Sequence, residues 1–157
     1  HALRGRRVLI VHPFADTIRS QYAKHAAGKN LLWPEAVLPR DLDLVVVKAP
    51  SSLGRDANGT WSAALRDTKA AIDGAFPVDA ALLGCGAYGL PLAAHVVSRG
   101  ASAVYVGGGL QLLFGIMGKR WADRAEIMKV ARASWVWPSA AETPPRAEVV
   151  EGGAYWG

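Results

Sequence analysis

Four short runs of apolar residues recur along the chain, each bounded by charged residues, glycine or proline. They span residues 7–11, 42–47, 78–83 and 103–106. Runs of this length that are rich in valine and leucine predict strands. Because the runs are unbroken rather than alternating, they are typical of strands that are buried on both faces of a parallel sheet. The pattern therefore predicts a mostly parallel sheet of four to five strands.

Between these runs, apolar residues recur at the three- and four-residue spacing of one helix face. Asp16 and Thr60 can cap the first two helices, and Pro91 suits the first turn of the third. A polar loop at 51–59 carries an Asn-Gly turn signal, and the segment 139–145 is predicted to be a surface loop. The predicted helices span residues 16–25, 61–72, 90–99, 110–116 and 123–133.

Strands and helices alternate along the chain, which defines βαβ units. Because the crossovers in such units are right-handed, they place helices on both faces of the sheet. We predict one α/β domain over residues 1–157, a Rossmann-like three-layer sandwich with strand order 2-1-3-4. The sequence shows no internal repeat, and its first residue is His1 rather than methionine. We therefore expect the C-terminal part of a longer protein, with an upstream domain.

Glycine is concentrated in two turns that follow the third and fourth predicted strands. Gly84, Gly86 and Gly89 have the spacing of a dinucleotide-binding turn, and Gly107 and Gly108 begin the second turn. The carboxyl ends of neighbouring parallel strands meet at one edge of the sheet, where ligands bind. Residues without a Cβ atom let a phosphate approach the backbone N–H groups. The turns thus predict a site for a phosphate-bearing ligand; the alternative is that the glycines only allow tight strand-to-helix turns.

Polar and basic side chains accompany these turns. Tyr88 and Gln111 can contact the base or sugar of a ligand, or serve only as turn residues. His12 ends the first predicted strand at the same edge, and for it a functional and a structural interpretation are equally open. Lys119 and Arg120 can neutralise a diphosphate, with a solvated helix start as the alternative.

Cys85 is the only cysteine, which excludes an internal disulfide and a cysteine-based zinc site. We interpret it as a small buried side chain rather than a nucleophile. His25 is predicted at the surface at a helix end, and His95 is predicted to be packed or exposed rather than catalytic. Four of the six tryptophans predict a packed C-terminal cap; they are Trp121, Trp135, Trp137 and Trp156.

Carboxylates are scarce at the predicted site. A site for NAD carries an acidic residue at the end of the next strand, about 20 residues beyond the glycines. Here that strand ends with Tyr105, Val106 and Gly107, and no arginine for NADP stands there either. The only Asp-x-Asp pair, Asp41 and Asp43, begins a strand at the opposite edge. We predict no metal site, leave a divalent-metal requirement open, and disfavour an NAD(P)-dependent oxidoreductase.

Composition narrows the class of protein further. Hydrophobic residues make up 51% and charged residues 20% of the chain, which is enough to build a core. The net charge is +5, but the basic residues are scattered and no nucleic-acid motif accompanies them, so we predict no nucleic-acid partner. No apolar run approaches the length of about 18 residues that predicts a transmembrane helix. A single cysteine is compatible with a cytoplasmic location.

Five segments carry a resemblance to a known group of proteins. They are VLIVHPFADTIRSQY (8–22), LLGCGAYGLPLAAHV (82–96), VGGGLQLLFGIMGKRW (106–121), WVWPS (135–139) and VEGGAYW (150–156). They resemble a bacterial family that occurs among surface-polysaccharide and glycan biosynthesis proteins and is similar to glycosyltransferases of the GT-D type. The resemblance covers nearly the whole chain. It implies a Rossmann-like domain near the C-terminus of a longer protein, whose upstream part carries the acidic, metal-associated residues of sugar transfer.

Residues and resemblance together favour a glycosyltransferase-like domain that binds a UDP- or GDP-linked sugar, or a glycan, in polysaccharide biosynthesis. The glycine turns would hold the phosphates, while His12, Lys119 and Arg120 would neutralise charge or assist the leaving group. The alternative is a non-catalytic interaction or assembly domain, with a tryptophan-rich tail as its partner surface and homo-oligomers as one outcome. An NAD(P)-binding oxidoreductase is the least favoured hypothesis.

Overall fold

The computed structural model describes residues 2–50, 60–145, 147–149 and 151–157. Within them, four strands form one sheet: β1 (Arg7–His12), β2 (Asp43–Lys48), β3 (Ala80–Leu83) and β4 (Ser102–Tyr105). Every pair is parallel, and the strand order is β2-β1-β3-β4. The predicted α/β fold, its parallel sheet and its strand order are therefore confirmed. The Asn-Gly turn predicted within 51–59 lies outside the described residues.

The central strand β1 explains why its sequence is apolar without interruption. Ile10 pairs with Val46 of β2 on one side and with Leu82 of β3 on the other. Side chains of a strand point alternately to the two faces of the sheet. Val8 and Ile10 enter one core and Leu9 and Val11 enter the other, so both faces of the strand need apolar side chains.

Helices cover both faces of the sheet, as a Rossmann-like three-layer sandwich requires. The helices are α1 (Ala15–Ala26), α2 (Trp61–Ala75), α3 (Gly89–Ser98), α4 (Leu110–Leu113), α5 (Lys119–Ala122) and α6 (Ala125–Val130). On one face, α2 and α3 supply Ile72 and Leu92 to the core. On the other face, α1 and the C-terminal segment supply Ile18, Phe114 and Trp156.

The ends of some helices differ from the prediction. Thr60 caps α2 as expected, since its Oγ1 accepts a hydrogen bond from the Ala63 N–H at 3.2 Å. The helix predicted at 110–116 ends at Leu113, because Ile116 leaves it to form a parallel bridge with Val136. The helix predicted at 123–133 is reduced to α6. Asp16 does not cap α1, because it lies inside the first turn of the helix. A residue from the C-terminal part of the chain, described below, caps α1.

His25 was predicted at the surface, and this prediction is wrong. The residue is fully buried at the end of α1, where the following loop folds back over it. Its Nε2 lies 2.9 Å from the Leu38 carbonyl oxygen, and its Nδ1 accepts a hydrogen bond from the Leu32 N–H at 3.3 Å. The imidazole thus links two points of that loop to the helix, a structural function that a local helix pattern does not reveal.

Across the described ranges, none of the helices combines the length and the apolar character that a bilayer crossing requires.

Candidate functional site

A cavity of about 250 Å³ opens at the carboxyl ends of β1, β3 and β4. The chain leaves β1 for β2 on one side of the sheet, and β3 lies on the other side of β1. Such a reversal of strand order creates the crevice in which open α/β sheets bind ligands. The residues lining the cavity are His12, Pro13, Phe14, Gly84, Cys85, Gly86, Tyr105, Gly108, Gln111, Glu151, Tyr155 and Trp156.

Half of the residues predicted for the site meet at this wall. They come from three turns that are far apart in sequence: His12 after β1, Gly84 and Gly86 after β3, and Gly108 and Gln111 after β4. Parallel strands bring these turns together because their carboxyl ends share one edge of the sheet. The expectation that the two glycine turns lie side by side is confirmed.

The junction between the turns leaves no room for a side chain at Gly84. A Cβ atom there would lie 2.7 Å from the Gly107 carbonyl oxygen and 2.8 Å from Cδ2 of His12. Contacts this short do not occur in folded proteins, so only glycine fits where the turns touch. Gly107 itself is not part of the cavity wall, but it contacts Gly84 where the two turns meet.

Several backbone donors of the two turns are free. In the described part of the chain, no acceptor is found for the N–H groups of residues 85–87 or for those of Gly107 and Gly108. Each set opens a short 3₁₀ turn, where the first N–H groups have no partner within the turn. Since Gly86 and Gly108 line the cavity, both turns bring residues with free N–H groups to its wall.

Tyr88 and Gly89 do not contribute to the wall. The Tyr88 ring is buried and stacks on Trp61, with ring centroids 5.5 Å apart. Gly89 faces the ring of Tyr105, and a Cβ atom on it would lie 2.1 Å from Cε2 of that ring. The third glycine of the predicted dinucleotide spacing therefore makes room for an aromatic side chain rather than for a phosphate.

Lys119 and Arg120 also lie outside the wall. Arg120 packs behind Tyr155, donating a hydrogen bond of 2.6 Å to its hydroxyl, and its Nη2 lies 3.5 Å from the Glu151 carboxylate. Its guanidinium also lies over the rings of Trp121 and Tyr155. Among the described residues that line the cavity, none carries a positive charge at neutral pH.

His12 forms the floor of the cavity beneath the Gly84 turn. It is 3% exposed, and its Nδ1 accepts a hydrogen bond from the Phe14 N–H at 3.0 Å. The proton of the neutral ring is therefore on Nε2. Burial lowers the pKa of His12 from 6.5 to about 3. At neutral pH the ring is an uncharged hydrogen-bond donor.

Cys85 lines the cavity but is not activated. Burial raises the pKa of its thiol from 9.0 to about 12. A thiol with such a pKa stays protonated at neutral pH, and a protonated thiol is a poor nucleophile. This agrees with the interpretation of Cys85 as a small buried side chain.

The C-terminal residues that close the cavity were not among the predicted site residues. Glu151, Tyr155 and Trp156 line part of it, and the Tyr155 ring lies against the second glycine turn, where a Cβ atom on Gly108 would be 2.5 Å from its Cε1. Glu151 has a left-handed backbone with φ of 47°, which is rare for a residue other than glycine. The glycine pair at 152 and 153 was the one available signal, since it marks a sharp turn that returns the aromatic tail to the sheet.

A carboxylate of the chain itself occupies the N-terminus of α1. Glu142 accepts hydrogen bonds from the Asp16 N–H at 2.8 Å and the Thr17 N–H at 3.2 Å, and from the Thr17 hydroxyl. The Ser139 hydroxyl donates to it at 3.0 Å. Burial raises the pKa of Glu142, but these hydrogen bonds outweigh burial and leave the pKa below its usual value. Glu142 is therefore an anion held where a Rossmann domain binds a pyrophosphate.

The segment 139–145 is accordingly not a simple surface loop, because Glu142 at its centre is buried. No group of three or more histidine, cysteine or acidic side chains in the described residues is placed to hold a metal ion.

Comparison with known proteins adds no relative: no family model, curated protein or solved structure matches the chain.

Proposed function

We propose that this chain is the nucleotide-sugar-binding or glycan-binding domain of a cytoplasmic glycosyltransferase-like protein. One observation carries the proposal: two adjacent glycine turns present free backbone N–H groups at the mouth of a cavity, at the switch point of a parallel sheet. Free amides of this kind bind the oxygens of phosphates. The resemblance described for five sequence segments favours a UDP- or GDP-linked sugar as the phosphate-bearing ligand.

The described residues support binding more than catalysis. The departure of a nucleoside diphosphate creates negative charge, which fixed N–H donors stabilise. In this chain those donors are the turn amides and Nε2 of His12. Because its pKa is near 3, His12 can donate a hydrogen bond to a leaving oxygen but cannot act as a general acid at neutral pH. Glu151 is the acidic residue of the described cavity wall, while the resemblance implies that the metal-associated acidic residues of sugar transfer lie in an upstream part.

The occupied N-terminus of α1 argues against NAD(P). Dinucleotides place their pyrophosphate at the first βα turn. Here Glu142 fills that position, and β2 ends with Lys48 instead of an acidic residue. The phosphate-binding function is therefore assigned to the turns after β3 and β4.

A titration of the ¹⁵N-labelled chain with UDP, GDP, UDP-glucose and GDP-mannose tests the proposal. We expect binding in the micromolar to millimolar range, with the largest NMR shift changes at the amides of residues 85–87, Gly107 and Gly108. The variant Gly84→Ala forces the two turns apart and should weaken binding at least about tenfold. Gly74→Ala is the matched control, because a Cβ atom at this α2 position has nothing within 4 Å. A folded protein that binds none of the four compounds would exclude the proposed function.

A second candidate is assembly through the free edge of β4. Val104 is 55% exposed, Tyr105 41% and Val106 45%, and no charged residue occurs between positions 100 and 118. Sheet edges are normally protected from pairing by charge, proline or a bulge. An unprotected, uncharged edge fits antiparallel pairing with β4 of a second copy, in a two-fold dimer. Of the tryptophans predicted for a partner surface, Trp156 is buried, whereas Trp137 is 47% exposed.

Sedimentation velocity distinguishes the two functions. If β4 pairs with a second copy, the chain sediments as a dimer and Val104→Lys converts it to a monomer. A wild-type monomer at high concentration would exclude assembly through this edge. The substitution lies outside the cavity wall, so nucleotide binding should be the same in both proteins.

A further inference from the structure

The amide of Gln111 is the least satisfied polar group of the cavity. The side chain is completely buried, and its Nε2 donates to the carbonyl oxygens of Met117 at 2.9 Å and Ile116 at 3.2 Å. Because carbonyl oxygens only accept, these contacts fix which end of the amide is nitrogen. The other end, Oε1, has no hydrogen-bond partner among the described residues.

A buried acceptor without a partner is unfavourable and rare in native proteins. Gln111 is part of the cavity wall, and its nitrogen is already turned to the backbone. A ligand in the cavity can supply what Oε1 lacks only if it carries an O–H or N–H donor. A phosphate, which has oxygens alone at neutral pH, cannot satisfy this atom.

The other residues of the cavity wall also favour a hydrogen-bonding ligand without a phosphate. The lining residues include Glu151, whose carboxylate is an acceptor 3.5 Å from Nη2 of Arg120, and His12, whose neutral ring carries its proton on Nε2. Tyr105 and Tyr155 add aromatic surface. Within the described lining no cation is present to neutralise a phosphate inside the cavity. The volume of about 250 Å³ is also smaller than the roughly 300–1,000 Å³ of pockets for drug-sized ligands, so a whole nucleotide-sugar does not fit.

We propose that the cavity takes one uncharged, hydroxyl-bearing sugar ring, and that Oε1 of Gln111 accepts a hydrogen bond from one of its hydroxyls. This inference rests on the proposed function, and it divides the ligand into two parts. The sugar ring lies inside the cavity, while the phosphates remain at the mouth, on the free amides of the two glycine turns. Gln111 is then the residue that distinguishes one sugar hydroxyl pattern from another.

Calorimetry on the wild-type chain tests the inference first. UDP, UDP-glucose and UDP-galactose are compared, together with GDP and GDP-mannose. We expect at least one sugar conjugate to bind about tenfold more tightly than its own diphosphate. In the monodeoxy series of that sugar, removal of one particular hydroxyl should lower the affinity about tenfold, because the donor to Oε1 is lost.

The variant Gln111→Met then assigns the effect to this residue. It should bind the complete sugar and the critical deoxy analogue with equal affinity. Gln21→Met is the matched control: Gln21 is also buried and also donates to two backbone carbonyls, but it lies outside the cavity wall. This control should keep the wild-type discrimination between the two sugars.

The outcomes separate the two proposals. Nucleotides that bind without any gain from the sugar would overturn the sugar-ring inference and leave the proposed function intact. Binding of neither nucleotide nor conjugate by the folded chain would overturn both. A sugar gain that Gln111→Met retains in full would remove Gln111 from recognition. If Gln111→Met does not fold, the ¹³C shift of the Gln111 side-chain carbonyl decides, since it must respond to the tighter-binding sugar conjugate and not to its own diphosphate.

Discussion

Glu142 holds Thr17 at two points: one carboxylate oxygen accepts its backbone N–H at 3.2 Å, and the other accepts its hydroxyl. The first oxygen also accepts the Asp16 N–H at 2.8 Å. Glu142 and Thr17 are 125 positions apart in sequence. A helix leaves its first N–H groups without partners, and here a distant side chain supplies the acceptors. The C-terminal segment is thereby fixed to the beginning of the fold.

Glu142→Ala is expected to destabilise the fold by about 2–4 kcal/mol, because it removes a helix cap together with several hydrogen bonds to a charged group. Urea unfolding followed by circular dichroism measures the change. Glu148→Ala is the control, since Glu148 is exposed in a neighbouring 3₁₀ turn and should shift the free energy of unfolding by less than about 0.5 kcal/mol. Equal midpoints for the two variants would contradict the capping function.

The stability of the domain should fall as the pH is lowered from 6.5. His12 binds its proton with a pKa of about 3 in the folded chain and 6.5 in the unfolded chain, so between these values the unfolded state takes up the proton. Stability from His12 is complete above pH 6.5 and is lost progressively towards pH 3, by at most about 1.4 kcal/mol per pH unit. The lowered pKa of Glu142 adds a loss of the same sign below its usual value of 4.5.

Urea midpoints measured at half-unit steps between pH 7 and pH 4 test this dependence. His12→Asn removes the titrating ring and should flatten the profile between pH 6.5 and pH 5, where Glu142 contributes least. A variant profile as steep as that of the wild type would show that other groups carry the dependence.

Cys85 should be inert to thiol reagents in the folded protein. Its side chain is buried and the pKa of its thiol is raised to about 12, so almost no thiolate exists at pH 8. We expect no reaction with Ellman's reagent over an hour at pH 8, and one thiol per chain in 6 M guanidinium chloride. Rapid modification of the native protein, with the fold intact, would mean that the thiol is accessible and activated.

Two tryptophans of the C-terminal segment, Trp137 and Trp156, should respond differently to truncation. Trp156 is 6% exposed, packs on Phe14 and donates from Nε1 to the Glu142 carbonyl at 3.1 Å. Trp156→Ala should cost about 3–5 kcal/mol, as is typical of a large buried aromatic residue. Trp137 is 47% exposed, and its substitution by alanine should cost about 1 kcal/mol or less. Thermal unfolding of both variants in one buffer provides the comparison, and equal losses would contradict the described burial.

The sequence carries enough information for the sheet because each strand is a local pattern. The run at 7–11 is apolar at every position from Val8 onward. An unbroken apolar run is typical of a central strand, which has another strand on each side. The glycine spacing, which is also a local pattern, predicted the turns after β3 and β4, and Gly84 is required where these turns touch. Five of the twelve residues of the cavity wall were therefore predictable from short stretches of the chain.

The cap of α1 and the C-terminal part of the cavity wall depend on contacts between distant segments, which leave no periodic signal. Glu142 lies in a polar, proline-rich stretch whose composition is that of a surface loop, yet its carboxylate is buried against α1. Glu151 and Tyr155 reach the cavity only because the chain turns back at residues 151–153. Tyr88 was misplaced because its neighbourhood in sequence is the glycine turn, whereas its partner in space is Trp61.

The attachment of the tail to the first helix has a consequence for synthesis on the ribosome. All four strands have been translated once Tyr105 is made, but the cap of α1 and one wall of the cavity come from residues 142 to 156. Until those residues leave the exit tunnel, the nascent sheet has an uncapped first helix and a solvent-filled furrow where Trp156 will insert. Folding of this domain is therefore completed only after Trp156 has left the tunnel, and any chain that terminates before position 142 is expected to depend on chaperones and to be degraded rapidly.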